Sequence, residues 1–285
     1  NAVVDGFTIT NGYAFATGTT PATTNWGGGV YTINGIIQNC TVMKNFAVRG
    51  CGIYQNSGVV SNCLISLNRS FVVGLGGGVY VANGGVVTHS YISENYVTTG
   101  SGSGGAGVYV SGASKVRYCT ITKNTARKNS GVSLVDSGGL IADSIVSSNI
   151  STAGGGSAGI LLNGGTTALN CTIFGHRNYN AVFFNSGGTV DRCTIWGNMA
   201  LDYVISMNNG ILRNSLVMGN SVTSRGALYM MYNGTIESCT FVRNKSGVAG
   251  AGIYIAVSDA VIRNTIIYEN AAPVSNNWYF TTPGS

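Results

Sequence analysis

The chain has 285 residues, of which 43 are glycine and only 3 are proline, and its formal net charge is +6. Charged residues make up 8% and hydrophobic residues 44%, a balance that excludes an intrinsically disordered chain. No apolar run approaches the roughly 18 residues of a membrane-spanning helix. The scattered basic residues permit an acidic partner without indicating one.

A ten-residue motif recurs along the chain and first appears in full as I-I-Q-N-C-T-V-M-K-N at 36–45. Later copies read T-V-D-R-C-T-I-W-G-N at 189–198 and T-I-E-S-C-T-F-V-R-N at 235–244. Successive copies lie 22 to 29 residues apart. This period is typical of solenoids, in which each repeat forms one coil and stacks on its neighbours. We therefore predict a single domain over residues 1–285, as a segment of a longer chain.

Three rows of aliphatic residues recur in these repeats. In the second repeat they are represented by Val30, Ile37 and Val42, and in a later repeat the first of these rows is assigned to Val204. Along the constant part of each repeat the aliphatic residues alternate with a period of two. β-Branched residues dominate the rows, and both features predict strands. We predict an all-β, parallel β-helix with three short strands per coil. About eleven coils then stack at about 4.8 Å per coil.

Each copy of the motif ends in asparagine, except for one copy that ends in His176. We expect this residue to take a left-handed corner and to hydrogen-bond from coil to coil, as stacked amides do; a row of ligand-binding amides is the alternative. Chain length varies mostly after this residue, which places the insertions, and any binding edge, at one corner. The predicted stack comprises Asn45, Asn68, Asn95, Asn124, Asn149, Asn198, Asn220, Asn244 and Asn270.

Six of the seven cysteines occupy one place in the repeat, five residues before the asparagine, and serine or threonine fills that place elsewhere. Interchange of small residues indicates an inward stack of free thiols. No C-x-x-C pair is present, so neither zinc nor any other metal or cofactor is predicted. Cys51 lies in the Gly-rich segment, where we expect an outward or corner position and reactivity toward thiol reagents. The aligned cysteines are Cys40, Cys63, Cys119, Cys171, Cys193 and Cys239.

Two short motifs carry a resemblance to a known family. The segments G-G-G-V at 27–30 and 76–79, G-A-L at 226–228 and F-V-R-N at 241–244 resemble the paired G-G-A-aliphatic and F-x-x-N motifs of chlamydial polymorphic outer-membrane proteins and related bacterial surface β-helix proteins. More broadly, the chain resembles the pectate-lyase-like superfamily. The resemblance implies a right-handed parallel β-helix and a secreted or cell-surface bacterial protein, often with an adhesive role. Most copies here have Ile or Val where the family motif has Phe.

Enzymes of that superfamily act on acidic polysaccharides with a carboxylate cluster, often with calcium, and a Lys or Arg base. The nine acidic residues of this chain do not form such a cluster in the repeat. Asp191 and Glu237 alternate with Arg213 and Arg263 in one outward row, which indicates a cross-strand series of ion pairs. The two histidines lie far apart, and neither has an evident nucleophile and acid as partners. No catalytic residue is therefore predicted.

One repeat is unusually basic. It is a candidate for binding an acidic glycan or an anionic surface, although charge clusters of this kind are usually solvated faces. No aromatic platform joins its charges, so we do not expect nucleic acid as a partner. The basic residues of this repeat are Lys115, Arg117, Lys123, Arg127 and Lys128.

Aromatic residues provide the other binding candidates. A tyrosine in the Gly-rich segment lies between two core positions and is expected to point outward. These rings either stack over exposed glycine backbone and stabilise the sheet, or form a flat exposed strip that binds a glycan or a partner protein. The candidates are Tyr31, Tyr54, Tyr80 and Tyr109 in the strip, and Trp26, Phe71 and Tyr96 at the variable corner.

Taken together, these features predict a secreted or cell-surface structural or adhesive protein of bacterial origin that binds a glycan or a surface protein. Two alternatives remain open: a polysaccharide-active enzyme or its non-catalytic β-helical part, and a subunit of an extracellular filament. A filament requires end-to-end self-association, because solenoid ends expose unpaired strands.

Overall fold

The chain winds into a parallel β-solenoid of ten to eleven coils, and every element of its described part is a strand. The computed structural model describes residues 2–14, 25–257 and 259–281, and for residues 71–73 and 99–103 it describes the backbone only. Each strand pairs in parallel with the equivalent strand one coil away. The predicted fold class, an all-β right-handed parallel β-helix, is confirmed.

Four sheets run along the solenoid, numbered here in the order in which the chain enters them. The first sheet contains Val3–Asp5, Ile36–Gln38, Val59–Ser61, Val86–Thr88, Lys115–Arg117, Leu140–Ala142, Thr167–Leu169, Thr189–Asp191, Ile211–Arg213, Gly234–Glu237 and Ala260–Arg263. The second sheet contains Thr8–Thr10, Thr41–Met43, Leu64–Ser66, Tyr91–Ser93, Thr120–Thr122, Ile145–Ser147, Thr172–Phe174, Thr194–Trp196, Leu216–Met218, Thr240–Val242 and Ile266–Tyr268. Coils are numbered 1 to 11 by their strand in the second sheet.

The remaining two sheets complete each coil. The third sheet contains Tyr13–Ala14, Phe46–Ala47, Arg69–Leu75, Tyr96–Gly104, Thr125–Ala126, Ile150–Ser151, Arg177–Asn178, Met199–Ala200, Ser221–Val222 and Lys245–Ser246. The fourth sheet contains Val30–Ile33, Ile53–Asn56, Val79–Ala82, Val108–Val110, Val132–Leu134, Ser157–Leu162, Asn180–Phe184, Ile205–Met207, Leu228–Met230, Ile253–Ile255 and Trp278–Phe280.

The third sheet is the part of the coil that the sequence did not predict. Its strands follow the motif asparagine directly and mostly have two residues, too few for a period of two to be recognised. In coils 3 and 4 they lengthen to Arg69–Leu75 and Tyr96–Gly104, which pair with each other through register shifts. The insertions therefore do emerge at one corner, and the coil has four strands where three were predicted.

The three predicted aliphatic rows line the interior of the solenoid. Ile37, Val42 and Ile53 are buried and represent the first, second and fourth sheets in one continuous core. The assignment of Val204 to this row is wrong by one residue, because Ile205 pairs with Val182 in the fourth sheet. Val204 is also buried, but it occupies the preceding corner position, which glycine fills in most coils.

All seven cysteines are buried and unpaired. The prediction for the six aligned residues is confirmed, whereas the expected exposure of Cys51 is wrong. Cys51 has no solvent-accessible surface, its thiol donates to the carbonyl oxygen of Ala47 at 3.2 Å, and burial raises its pKa to about 12. Its reactivity as a thiolate is therefore suppressed.

Candidate binding groove

A ladder of buried asparagine side chains runs along the corner between the second and third sheets. The backbone N–H and the Nδ2 of Asn45 both donate to Oδ1 of Asn68, each at 3.0 Å. Asn68 donates in the same way to Asn95 at 3.1 and 2.9 Å, and Nδ2 also donates to the carbonyl oxygen of Val42 in the preceding coil. Each amide thus joins neighbouring coils, and these buried polar groups are fully used.

The expected left-handed backbone belongs to the residue before each ladder asparagine. Lys44, Leu67 and Lys123 have φ values of 55°, 58° and 55°, whereas none of the ladder asparagines has a positive φ. The corner is turned by this preceding residue, and the asparagine then points inward to hydrogen-bond along the axis. The expectation that asparagine itself takes the left-handed conformation is therefore wrong.

The ladder explains the Gly-rich half of the repeat. A Cβ built on Gly52 would lie 2.8 Å from Nδ2 of Asn68, and one on Gly78 would lie 2.9 Å from Nδ2 of Asn95. Both distances are shorter than a side chain tolerates, so glycine lets the start of the fourth sheet pack against the ladder in these two coils. The two motifs of the repeat are in contact across the coil.

The residues on either side of the ladder point outward and border a groove along this corner. They form two columns, one immediately before and one immediately after the ladder residue of each coil. The first column is Lys44, Leu67, Glu94, Lys123, Ser148, Gly175 and Gly197. The second is Tyr13, Phe46, Arg69, Tyr96, Thr125, Ile150, Arg177, Met199 and Ser221, which pair in register in the third sheet.

Four depressions follow one another along this groove, with volumes of about 440, 400, 500 and 170 Å³. The first and second share Leu67 and Arg69, the second and third share Lys123, and the third and fourth share Arg177 and Met199. Because neighbouring depressions have lining residues in common, they form one open row over nine coils, roughly 40 Å at the spacing of paired strands. We call this row the channel. A channel of this shape fits an extended chain better than a compact small molecule.

The groove is basic. Lys44, Arg69, Lys123 and Arg177 line it and are exposed, while Glu94 is the only acid among the lining residues of the four depressions. No ion pair within the described residues involves any of these four cations. They lie in coils 2, 3, 5 and 7, so their spacing along the axis is about 5 to 10 Å.

The predicted basic repeat does not form one patch. Lys115 and Arg117 project from the first sheet, Lys123 borders the groove, and Arg127 and Lys128 follow the third sheet. Only Lys123 therefore contributes to the groove, because neighbouring sheets direct the other side chains elsewhere.

The acidic residues of the predicted charge row form ion pairs between coils. Arg213 contacts Asp191 at 3.0 Å and Arg263 contacts Glu237 at 3.1 Å. Burial is the largest single influence on the Asp191 carboxyl and by itself raises its pKa. The hydrogen bonds from Asn214 and Arg213, together with the charge of Arg213, outweigh burial and keep the pKa of Asp191 below its ordinary value. Among the described residues, no group of three His, Cys, Asp or Glu is placed to hold a metal ion.

The predicted aromatic strip is a face-to-face stack on the fourth sheet. Ring centroids are 5.2 Å apart for Tyr31–Tyr54, 4.8 Å for Tyr54–Tyr80 and 4.9 Å for Tyr80–Tyr109, with the rings within 18° of parallel. Tyr54 and Tyr80 are only 6% and 8% exposed. Of the two interpretations, stacking that stabilises the sheet fits these two rings, whose faces already contact one another, and burial raises the pKa of Tyr54 to about 12.

The three candidates from the variable corner lie in different places. Trp26 stacks on Tyr54 at 4.6 Å and belongs to the aromatic stack, with Arg49 5.2 Å above its ring. Tyr96 borders the groove. The side chain of Phe71 lies outside the described residues.

Sequence reasoning missed two aromatic contributions. Tyr203 stacks on Tyr229 at 4.6 Å, and the ring of Tyr254 contacts Tyr229 at 5.5 Å with a tilt of 53°. The second is Phe46, which stacks at 4.8 Å on Tyr13, a candidate from the variable corner, at one end of the groove. The recurrence of an aromatic residue directly after the motif asparagine, as in Phe46 and Tyr96, was the available signal for that column.

Across the described part of the chain, no helix has the length and apolar character needed to cross a membrane. Comparison with curated proteins and with solved structures found no match. The sequence model of the right-handed beta helix region matches residues 106–272, which is more than half of the chain and includes the ladder from Asn124 to Asn270. The chain therefore belongs to the right-handed beta helix family.

Proposed function

We propose that this protein is a secreted or cell-surface β-helix that binds an extended acidic glycan in the groove between its second and third sheets, without cleaving it. The observation that carries the proposal is the continuous channel with Lys44, Arg69, Lys123 and Arg177 along it. Localisation outside a bacterial cell is supported by the resemblance of the repeat to bacterial surface proteins.

The chemistry of the groove favours an anionic ligand. Arg and Lys side chains form charge-assisted hydrogen bonds with carboxylate and sulfate oxygens, and Arg does so with two N–H groups at once. Their axial spacing of about 5 to 10 Å is one to two coils, close to one or two sugar rings of an extended glycan. The stacked pair Tyr13 and Phe46 and the ring of Tyr96 add apolar surface for the sugars.

Binding without cleavage is proposed because general acid–base catalysis requires a donor and an acceptor held near the same bond. Of the groove residues described above, Glu94 alone carries a carboxylate, and Arg69, Lys123 and Tyr96 line the same depression. A single acid beside cations can take part in recognising a charged ligand. These residues include no second acid and form no calcium-binding cluster.

The proposal is tested by binding of the purified chain to polygalacturonate and to the same polymer with its carboxyl groups esterified. Changing Arg69→Gln together with Lys123→Gln should weaken binding to the acidic polymer by about a hundredfold or more, since each lost charge-assisted contact contributes about 1.5–3 kcal/mol. Binding should also weaken with added salt.

The matched control changes Lys115→Gln and Arg117→Gln, which remove the same charge from the first sheet, and it should leave affinity within about twofold. Equal losses in both variants would show a general charge effect and contradict a groove site. Release of unsaturated or reducing ends during the assay would assign the chain to the polysaccharide-active enzymes instead.

A further inference from the structure

The outer face of the second sheet carries no charged residue in any of its eleven strands, all of which lie in the described part of the chain. The first residue of each strand forms the front column: Thr8, Thr41, Leu64, Tyr91, Thr120, Ile145, Thr172, Thr194, Leu216, Thr240 and Ile266. The third residue forms the back column: Thr10, Met43, Ser66, Ser93, Thr122, Ser147, Phe174, Trp196, Met218, Val242 and Tyr268. The outer face of the first sheet, by contrast, presents Lys115, Arg117, Arg213 and Arg263.

In most coils the side chain of one column projects further from the sheet than that of the other. The column that projects further is not the same along the whole solenoid. In coils 3 and 6 the front residues Leu64 and Ile145 are 40% and 41% exposed, while the back residues Ser66 and Ser147 are recessed at 7% and 6%. In coils 7 and 8 small Thr residues stand in front, and the stacked rings of Phe174 and Trp196 project from the back column at a centroid distance of 4.8 Å. From coil 3 to coil 8 the face thus has one ridge and one furrow, which exchange columns between coils 6 and 7.

We propose that this face binds a second copy of the chain, with the two solenoids parallel and related by a two-fold axis that runs along them. This rotation places the front column of one copy against the back column of the other at every coil. Tyr91 then meets Ser93 of the second copy, and Trp196 meets Thr194 of the second copy. Ridges fill furrows from coil 3 to coil 8, as a self-complementary two-fold interface requires.

The charges at the rim distinguish this arrangement from the antiparallel one. In the parallel dimer Glu94 comes opposite His89 of the second copy in coil 4, so no like charges meet there. In an antiparallel dimer, coil 2 faces coil 10 and coil 4 faces coil 8. Lys44 would then oppose Arg243. Like charges across an interface disfavour that partner orientation.

The size of the face suits a reversible dimer. Eleven strands span roughly 50 Å and three residues about 10 Å, so each copy contributes roughly 500 Å² and the pair about 1,000 Å². This total is at the lower limit for a specific interface, so the dimer should dissociate on dilution. The rest of the surface carries a net positive charge, and the uncharged face is where two copies approach without repulsion.

The inference does not depend on the proposed glycan binding, because it rests on the uncharged strands of the second sheet and not on a ligand in the groove. Sedimentation of the purified chain over a range of concentrations should show a monomer–dimer equilibrium. Ile145→Lys should abolish the dimer, since it places a charge at the centre of an interface that otherwise has none. The matched control, Ile211→Lys, changes an exposed isoleucine of the first sheet and should leave the equilibrium unchanged.

A chain that stays monomeric up to about 100 µM, or equal loss of dimer in both variants, would overturn the proposal. If Ile145→Lys fails to fold by circular dichroism, the orientation test decides the question on folded protein. Thr120→Cys and Thr122→Cys chains are mixed and oxidised mildly. A covalent heterodimer between residues 120 and 122 supports the parallel arrangement. Cross-linking that appears only between Thr120→Cys and Thr172→Cys chains would overturn it in favour of antiparallel packing.

Discussion

His176 replaces asparagine in the ladder and is fully buried. Its Nδ1 accepts the backbone N–H of Asn149 at 3.2 Å, and its Nε2 lies 3.1 Å from the carbonyl oxygen of Val146. The neutral ring with its proton on Nε2 satisfies both contacts. Burial lowers the pKa of His176 to about 4, because the charged ring is poorly solvated there.

The stability of the protein should therefore fall in acid. Between about pH 6.5 and pH 4 the unfolded chain binds a proton at this position and the folded chain does not, so stability is lost as the pH falls through this window. The loss at pH 4 is roughly 3 kcal/mol at most. Chemical unfolding at pH 7 and pH 4 measures it.

The comparison for this prediction is His176→Asn, which restores the residue type of the other coils. This variant should fold and should lose most of the pH dependence. If wild type and variant respond equally to pH, other groups dominate acid unfolding.

Asn124 represents the uninterrupted ladder. Its backbone N–H and Nδ2 donate to Asn149 at 2.9 and 3.0 Å, and its Oδ1 accepts from Asn95. Asn124→Leu leaves several of these buried partners unsatisfied, at a cost of about 1–3 kcal/mol. The unfolding midpoint of Asn233→Leu, at an exposed turn, should change little. An unchanged midpoint for Asn124→Leu would mean that the ladder does not stabilise the coils.

The sequence predicted the ladder residues but misplaced the local backbone by one residue. Recurrence of asparagine at one position indicates stacking, because each coil repeats the same environment. It does not indicate which residue turns the corner, since Lys44 and Leu67 take the left-handed conformation without any compositional preference for it. The curvature of the whole coil imposes that conformation.

At the scale of the elements, the aromatic stack on the fourth sheet also covers the corner between the third and fourth sheets. A Cβ on Gly50 would lie 2.8 Å from Cα of Tyr54, so the glycine lies directly beneath the tyrosine. Leu75, at the end of a lengthened third-sheet strand, packs against the same cluster. The tyrosines therefore seal the junction between the third and fourth sheets.

Changing Tyr54→Ala and Tyr80→Ala together should lower the melting temperature and leave glycan binding unchanged. Each change removes a buried ring, at a cost of about 3 kcal/mol. Tyr232→Ala, at an exposed turn, should have little effect on stability. Loss of binding with unaltered stability would place the ligand site on the stack and not in the groove.

The sequence predicted strands well where the same types of side chain recur in every coil. It predicted them poorly where the strand recurs but its side chains differ from coil to coil. Three sheets follow from aliphatic rows, because an inward position tolerates few residue types. The outward positions of the third sheet vary from Phe46 to Arg69 to Met199, so the groove was not recognisable as a row. The groove forms only when the coils stack and bring these residues side by side.

At the scale of the whole molecule, stacking converts unrelated residues into long surfaces. Residues of separate repeats come within one strand spacing, so a single charge per coil becomes a charged channel and a single uncharged strand becomes a face. The groove and the uncharged face share the second sheet as a boundary. Both run the length of the solenoid, which suits polymeric or repeated partners.

The central claim is that one extended anionic chain occupies the groove over many coils, and its most direct test is the dependence of affinity on ligand length. Oligogalacturonates of two to twelve units are titrated into the protein under conditions that keep it monomeric. The account predicts that affinity rises with each added unit up to about seven to nine units, one per coil of the channel, and then levels off. Affinity that levels off at two or three units, or equal affinity for esterified oligomers, would contradict it.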